Sequence, residues 1–208
     1  MSASDIPDSW PPAEGTFPPQ VAPLFPLPKV FLYPHVIMPL HIFEPRYRQM
    51  VDDLLDRRGW LIITPIREGH EVNQLGAPPI YPVGGLGEII KHERMPDGRF
   101  LISLAGLGRV NIREVESDRL YRKVQFEPFH EVQPEEEENE GMRERVREAL
   151  LTCSDSFHNL PPDLPLAPMA DLLIQSLDLP VDVLSELFSE PVVMRRAEFA
   201  MERHDSRK

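Results

Sequence analysis

A helix from Pro45 to about Arg58 constrains this chain more than any other stretch, because its start, its stripe and its stop are all written in residue types. Glu44 sets an acid at the positive end of the helix dipole, and Pro45 suits the first turn, where a missing N–H costs nothing. Tyr47, Met50, Val51, Leu54 and Leu55 then recur at helical spacing as one apolar stripe. Arg48, Gln49, Asp52, Asp53 and Asp56 fall on the other side, Arg57 and Arg58 complement the negative end, and Gly59 supplies the stop. Burying such a stripe is worth roughly 1.5–3 kcal/mol per side chain as an upper bound, so the helix requires an apolar partner. The strands on either side of it are the candidates.

Those strands are signalled by apolar runs bracketed by prolines and glycines. Leu24-Phe25-Pro26-Leu27-Pro28 is followed by Lys29–Tyr33, which reads as a short edge strand closed by Pro34. Trp60–Ile66 is apolar on both faces, which predicts a strand covered on both, one side by the helix. Residues 67–79 form a polar loop ending in Pro78-Pro79. Strand-like runs at 81–83 and 87–95 then lead into Asp97-Gly98, a hairpin signal before Phe100–Leu104. Gly106-Leu107-Gly108 lacks a following helix, so a tight turn or bulge explains it better than a phosphate-binding turn. Alternation resumes at Val110–Val115 and Tyr121–Pro128. Several short strands with one helix predict a small closed or half-closed barrel.

Composition changes at Gln133. Residues 133–140, with Glu135–Glu138, read as an acidic linker, and residues 141–208 have helical rhythm only. Met142, Val146, Ala149, Leu150 and Cys153 share one face; Met169, Leu172, Leu173, Ser176 and Leu177 share another; Leu184, Leu187 and Phe188 a third. A last helix is expected from near Pro191 to about Arg203. Residues 1–20, rich in proline, form a flexible leader that Trp10 and Phe17 could pin to the body or to a partner. The expected fold class is therefore α+β: leader, barrel over 21–132, linker and helical bundle.

Few reactions find their residues here. A net charge of −12 counts against a phosphate-binding surface and hence against nucleic acid. The single cysteine, Cys153, excludes an intramolecular disulfide framework and reads as a small hydrophobe on a helix face. His41 and Glu44 stand three apart but do not share a helix, so they are not read as metal ligands, and the other histidines form no cluster. There is no Walker lysine motif and no nucleophile elbow. No lysine or arginine precedes Lys29 and no apolar run is long enough for a signal or a membrane span, so no membrane association and a cytoplasmic location are expected.

Taken in order, Leu24–Val30, Tyr33-Pro34-His35, Pro39–Tyr47, Val83-Gly84, Glu93–Arg99 and Gly106–Arg109 resemble the amino-terminal substrate-binding domain of Lon proteases, over about residues 21–203. The resemblance implies a PUA-like barrel followed by helices, no cofactor, and binding of unfolded or misfolded proteins or of a protease partner. Full Lon proteins continue into ATPase and Ser-Lys peptidase modules, and this chain stops first, so a stand-alone, non-enzymatic protein-binding module, an adaptor for proteolysis, is expected. Tyr33, Pro34, His35, Glu44 and Arg46 are the candidate binding residues; read structurally, the same residues fix the barrel and cap the helix. An RNA-associated PUA-like module is the alternative, and a hydrolase using His41 and Glu44 or Cys153 is a third reading. Nothing in the sequence specifies an oligomeric state.

Overall fold

The computed structural model describes residues 10–12, 17–67 and 77–207. It is mixed α+β and divides into two compact units, Met1–His130 and Glu131–Lys208. The first contains β1 (Gln20–Leu27), β2 (Ile37–Ile42), α1 (Pro45–Leu55), β3 (Trp60–Pro65), β4 (Val83–Arg94), β5 (Phe100–Val115) and β6 (Arg122–Pro128). The second contains α2 (Glu136–Cys153), a 3-10 turn (Asp155–Asn159), α3 (Leu166–Ser176), α4 (Val181–Phe188) and α5 (Val193–Asp205). The polar loop expected over 67–79 falls mostly outside the described residues; its ends are joined by the Arg67 N–H donating to the Pro79 carbonyl at 2.9 Å.

The six strands run in the order β2-β5-β4-β3-β1-β6. β1 and β3 are parallel and every other pair is antiparallel. The length of β5 decides the topology: Phe100–Ala105 pairs with β2, while Val110–Val115 pairs with β6. The ladder therefore returns from β6 to β5, giving a circuit of five strands with β2 outside it. A register shift between Leu86 and Gly87 skips Leu107, which is the bulge expected at Gly106-Leu107-Gly108.

The helix stripe folds as its spacing requires. Tyr47, Met50, Val51 and Leu54 are buried with Leu61 and Ile63 of β3, while Trp60 and Ile62 enter a second core with Leu24, Leu86, Val110 and Phe126. β3 is thus covered on both faces. α1 ends earlier than expected, at Leu55; the Arg57 N–H reaches the Leu54 carbonyl at 2.9 Å, and Gly59 takes the left-handed backbone, φ +69°, that releases the chain into β3. Trp10 and Phe17 pack on the second core, with Trp10 6.4 Å from the Trp60 ring and Phe17 5.9 Å from that of Phe126.

Two expectations need correcting. The edge strand predicted at Lys29–Tyr33 is not a strand; β1 precedes it, and the segment crosses the sheet instead. Its backbone passes so close to Gly85 and Gly106 that a Cβ on either would meet the carbonyl oxygen of Leu32 or Tyr33. The acidic run expected as a linker becomes helical from Glu136, because Glu136, Glu137 and Glu138 occupy the first turn of α2, where the helix dipole favours negative charge.

In the helical unit, Val146, Ala149, Leu150, Met169, Leu173, Leu187, Val193, Ala197 and Ala200 form one core. Cys153 is not part of it: the last residue of α2 is exposed, with the Ser176 hydroxyl 3.5 Å from its sulfur. Arg196 is fully buried, its guanidinium 2.8 Å from Glu131, 3.5 Å from Asp171 and donating to the Glu190 carbonyl at 2.9 Å.

Candidate binding edge

Strand β2 is assembled from alternating roles. Met38, Leu40 and Ile42 turn toward the α1 core, while Ile37, Pro39 and His41 face outward. The Gly106 N–H donates to the Val36 carbonyl at 2.8 Å, which sets the parity of the ladder. Because N–H and C=O of one residue point to the same side of a strand, Met38, Leu40 and Ile42 bond to β5 and the main-chain groups of Ile37, Pro39 and His41 point away from it. β2 pairs with β5 alone, and none of these three residues takes part in another backbone hydrogen bond among the described residues. Pro39 lies at a position that needs no ladder donor, which is where an edge strand tolerates proline.

Apolar side chains accompany that open edge. Ile37 is 61% exposed and Phe43 59%, with Leu101 on β5 and Ile90 at the irregularity in β4 also exposed. His41 stands opposite Leu101 and Pro39 opposite Ser103, and the next strand adds Glu93 and Lys91 in the same rows. Together they line a shallow groove of about 380 Å³. Isolated exposed apolar residues are ordinary on a protein surface; Ile37 and Phe43 stand out because they border an unpaired strand edge.

The five residues singled out from sequence do not converge. Tyr33 is buried, its ring 6.4 Å from Phe31 and 5.5 Å under the Arg109 guanidinium. His35 is exposed at φ +63°, its N–H donating to the Gly106 carbonyl at 2.9 Å, and Pro34 beside it is half-buried. Glu44 and Arg46 are brought together as an exposed ion pair at 2.8 Å, and the Arg46 guanidinium lies 4.6 Å from the Tyr47 ring. The Glu44 side chain therefore makes no cap hydrogen bond to α1; its carbonyl accepts the Tyr47 and Arg48 N–H groups instead. Burial pushes the Tyr47 phenol above its ordinary value. Pro34-His35 and Glu44-Arg46 bracket β2 at its two ends, about 17 Å apart for five steps of extended chain.

Ile37, Phe43, Leu101 and Ile90 were not singled out from sequence. Pro39, with apolar residues alternating around it, is the one signal that could have found the edge, because proline inside an apolar run marks a strand with one open side.

Catalytic groupings are sparse. His41 is exposed on β2, and Glu44 is engaged by Arg46. The described residues contain no cluster of three histidine, cysteine or acidic side chains able to hold a metal ion. None of their helices is long and apolar enough to cross a membrane.

A family model described as the ATP-dependent protease La (LON) substrate-binding domain matches residues 21–202. Among curated relatives, Lon protease 2 of Sorangium cellulosum is 27% identical over 68% of this chain and 18% of its own length. Lon protease of Trichlorobacter lovleyi is 27% identical over 77% of this chain and 21% of its own. The chain thus spans about a fifth of the length of these relatives. Among solved structures, the N-terminal domain of a Mycobacterium avium complex Lon protease aligns at a TM-score of 0.67 with 15% identity, covering 91% of this chain and all of that one. A Lon N-terminal domain protein from Xanthomonas campestris aligns at 0.64 with 21% identity, covering 88% of this chain and 98% of that one. At these identities the likeness is one of fold.

Proposed function

Because the chain belongs to the Lon substrate-binding domain family, we propose that it is a non-catalytic module that binds exposed apolar or extended segments of other proteins and serves proteolysis as an adaptor. It works in cytoplasmic protein quality control, and its clients are unfolded or misfolded chains. The observation that carries this reading is the outer face of β2 and β5, where Ile37, Phe43 and Leu101 stay in water beside a shallow groove. Covering such side chains is worth roughly 1.5–3 kcal/mol each before the cost of association.

The five-strand circuit is read as a PUA-like barrel whose job is to hold that face rigid. His35 with Pro34 at one end, and Glu44 with Arg46 at the other, flank the binding strip, and Tyr33 supports it from beneath. Rigid elements hold contacts more accurately than loops do, so a module built this way needs no nucleotide to be ready.

The test is an aggregation assay with purified protein and a chemically unfolded client, without ATP. Suppression should rise with protein concentration and leave the client intact, because binding the unfolded chain lowers the concentration free to aggregate. Ile37→Ser combined with Phe43→Ser should weaken the suppression while the circular dichroism spectrum stays unchanged. Client cleavage by protein free of contaminating protease would defeat the non-catalytic reading, and tight RNA binding with no effect on clients would move the RNA-associated reading ahead.

A further inference from the structure

The geometry points to a mode of capture: an extended segment of an unfolded polypeptide adds to the free side of β2 as a further strand, held by main-chain hydrogen bonds. This rests on the protein-binding reading above and says how the client is held.

Three observations carry it. The N–H groups of Ile37 and His41 and the carbonyls of Ile37, Pro39 and His41 lie on the side of β2 away from β5, with no backbone partner among the described residues. A row of that kind is complementary to one thing above all, the main chain of another extended segment. The outward side chains beside the row, Ile37 with Phe43 next to the strand end, favour apolar residues at alternate positions of the incoming segment. Charge agrees: in a chain of net charge −12, β2 itself (IMPLHI) carries no acid, so an apolar segment added along it meets no carboxylate on the strand.

Pro39 separates this occupant from a second copy of the chain. It lacks one outward donor, so an added client strand forgoes one hydrogen bond. Two copies joined through β2 would carry the defect twice within six residues. The same gap keeps capture weak and reversible, which suits a module that must pass its client on.

The test uses the unaltered protein and a nine-residue fluorescein-labelled peptide in which leucine alternates with serine or lysine, measured by anisotropy at about 0.15 M salt. The peptide is then N-methylated one amide at a time. Methylation of every second amide should weaken binding roughly three- to tenfold, and methylation of the others should leave it unchanged. Peptide should also slow hydrogen exchange at the Ile37 and His41 amides and not at Leu40, whose N–H is already in the ladder. His41→Pro, which removes an outward donor and no ladder bond, should reproduce the loss. Binding indifferent to all N-methyl positions would overturn strand addition and leave the protein-binding reading standing. Failure to bind both the peptide and a reduced, carboxymethylated globular protein would overturn both. Self-association with Ile37 and His41 protected in the absence of peptide would overturn the client in favour of a second copy.

Discussion

The sheet unit and the helical unit satisfy their polar groups in opposite ways. In the helical unit each helix closes its own ladder, with one bridge between Val132 and Val192 beside them, and the apolar faces meet in one core that also takes in a charge, the fully buried Arg196 between Glu131 and Asp171. In the sheet unit the two cores are apolar, the one deeply buried cation among the described residues, Arg109, lies over the Tyr33 ring, and the ion pairs Glu44–Arg46 and Asp52–Arg94 stay exposed at the rim. Its backbone bonds, however, run between strands, so the one strand outside the circuit keeps an open side. A helix is complete alone and a strand is not, so capacity for main-chain recognition resides in the sheet unit.

The sharpest way to break this comparison is at the buried charge. Arg196→Ala should destabilise the helical unit by about 3–5 kcal/mol in urea unfolding, because Asp171 is left buried without its cation. A loss near zero would mean that the guanidinium is no part of the core. In the sheet unit the corresponding weight sits in apolar contacts: Leu54→Ala should cost about 2–5 kcal/mol by removing a buried branched side chain from the α1 stripe. If Leu54→Ala were mild and an ion-pair variant such as Asp52→Ala severe, the contrast between the units would fail.

Smaller effects refine it. From sequence, Asp53 belongs to the solvent side of α1, but its carboxylate accepts a 2.9 Å hydrogen bond from the Tyr121 phenol and lies 3.3 Å from Arg119. Asp53→Ala should therefore cost about 1–2 kcal/mol, more than an ordinary surface change. Burial, and then the bond to Asp53, push the Tyr121 phenol up to about 12 from its ordinary 10.0. A raised phenol favours the protonated form in the folded state, so its contribution is intact below pH 10.0 and is lost as pH rises toward about 12. Alkaline unfolding should show a decline in that window that is shallower in Tyr121→Phe.

The legible parts were those specified locally. Pro45, the stripe at 47, 50, 51 and 54, and Gly59 define α1 through spacing and backbone freedom, needing only some apolar partner. Trp60–Pro65 announced its two covered faces by having no polar residue but Thr64, and the Asp97-Gly98 turn closes with Met95 N–H on the Arg99 carbonyl at 2.8 Å. The helical faces around Val146, Met169 and Leu187 were likewise written in periodicity.

What only the tertiary structure decided depends on partners distant in sequence. Tyr33 reads as a surface aromatic at a turn until Gly85 and Gly106, more than fifty residues on, are seen to let that segment sink against the sheet. The run Ile37–Ile42 is too short, and too broken by Pro39, to announce a strand; it becomes one because the first six residues of β5 outlast the circuit and need a neighbour. Whether its other side is open is a property of the whole strand order, at which Pro39 gives the only local hint: residue types determine what an element can bury, while topology determines which backbone groups are left to bind.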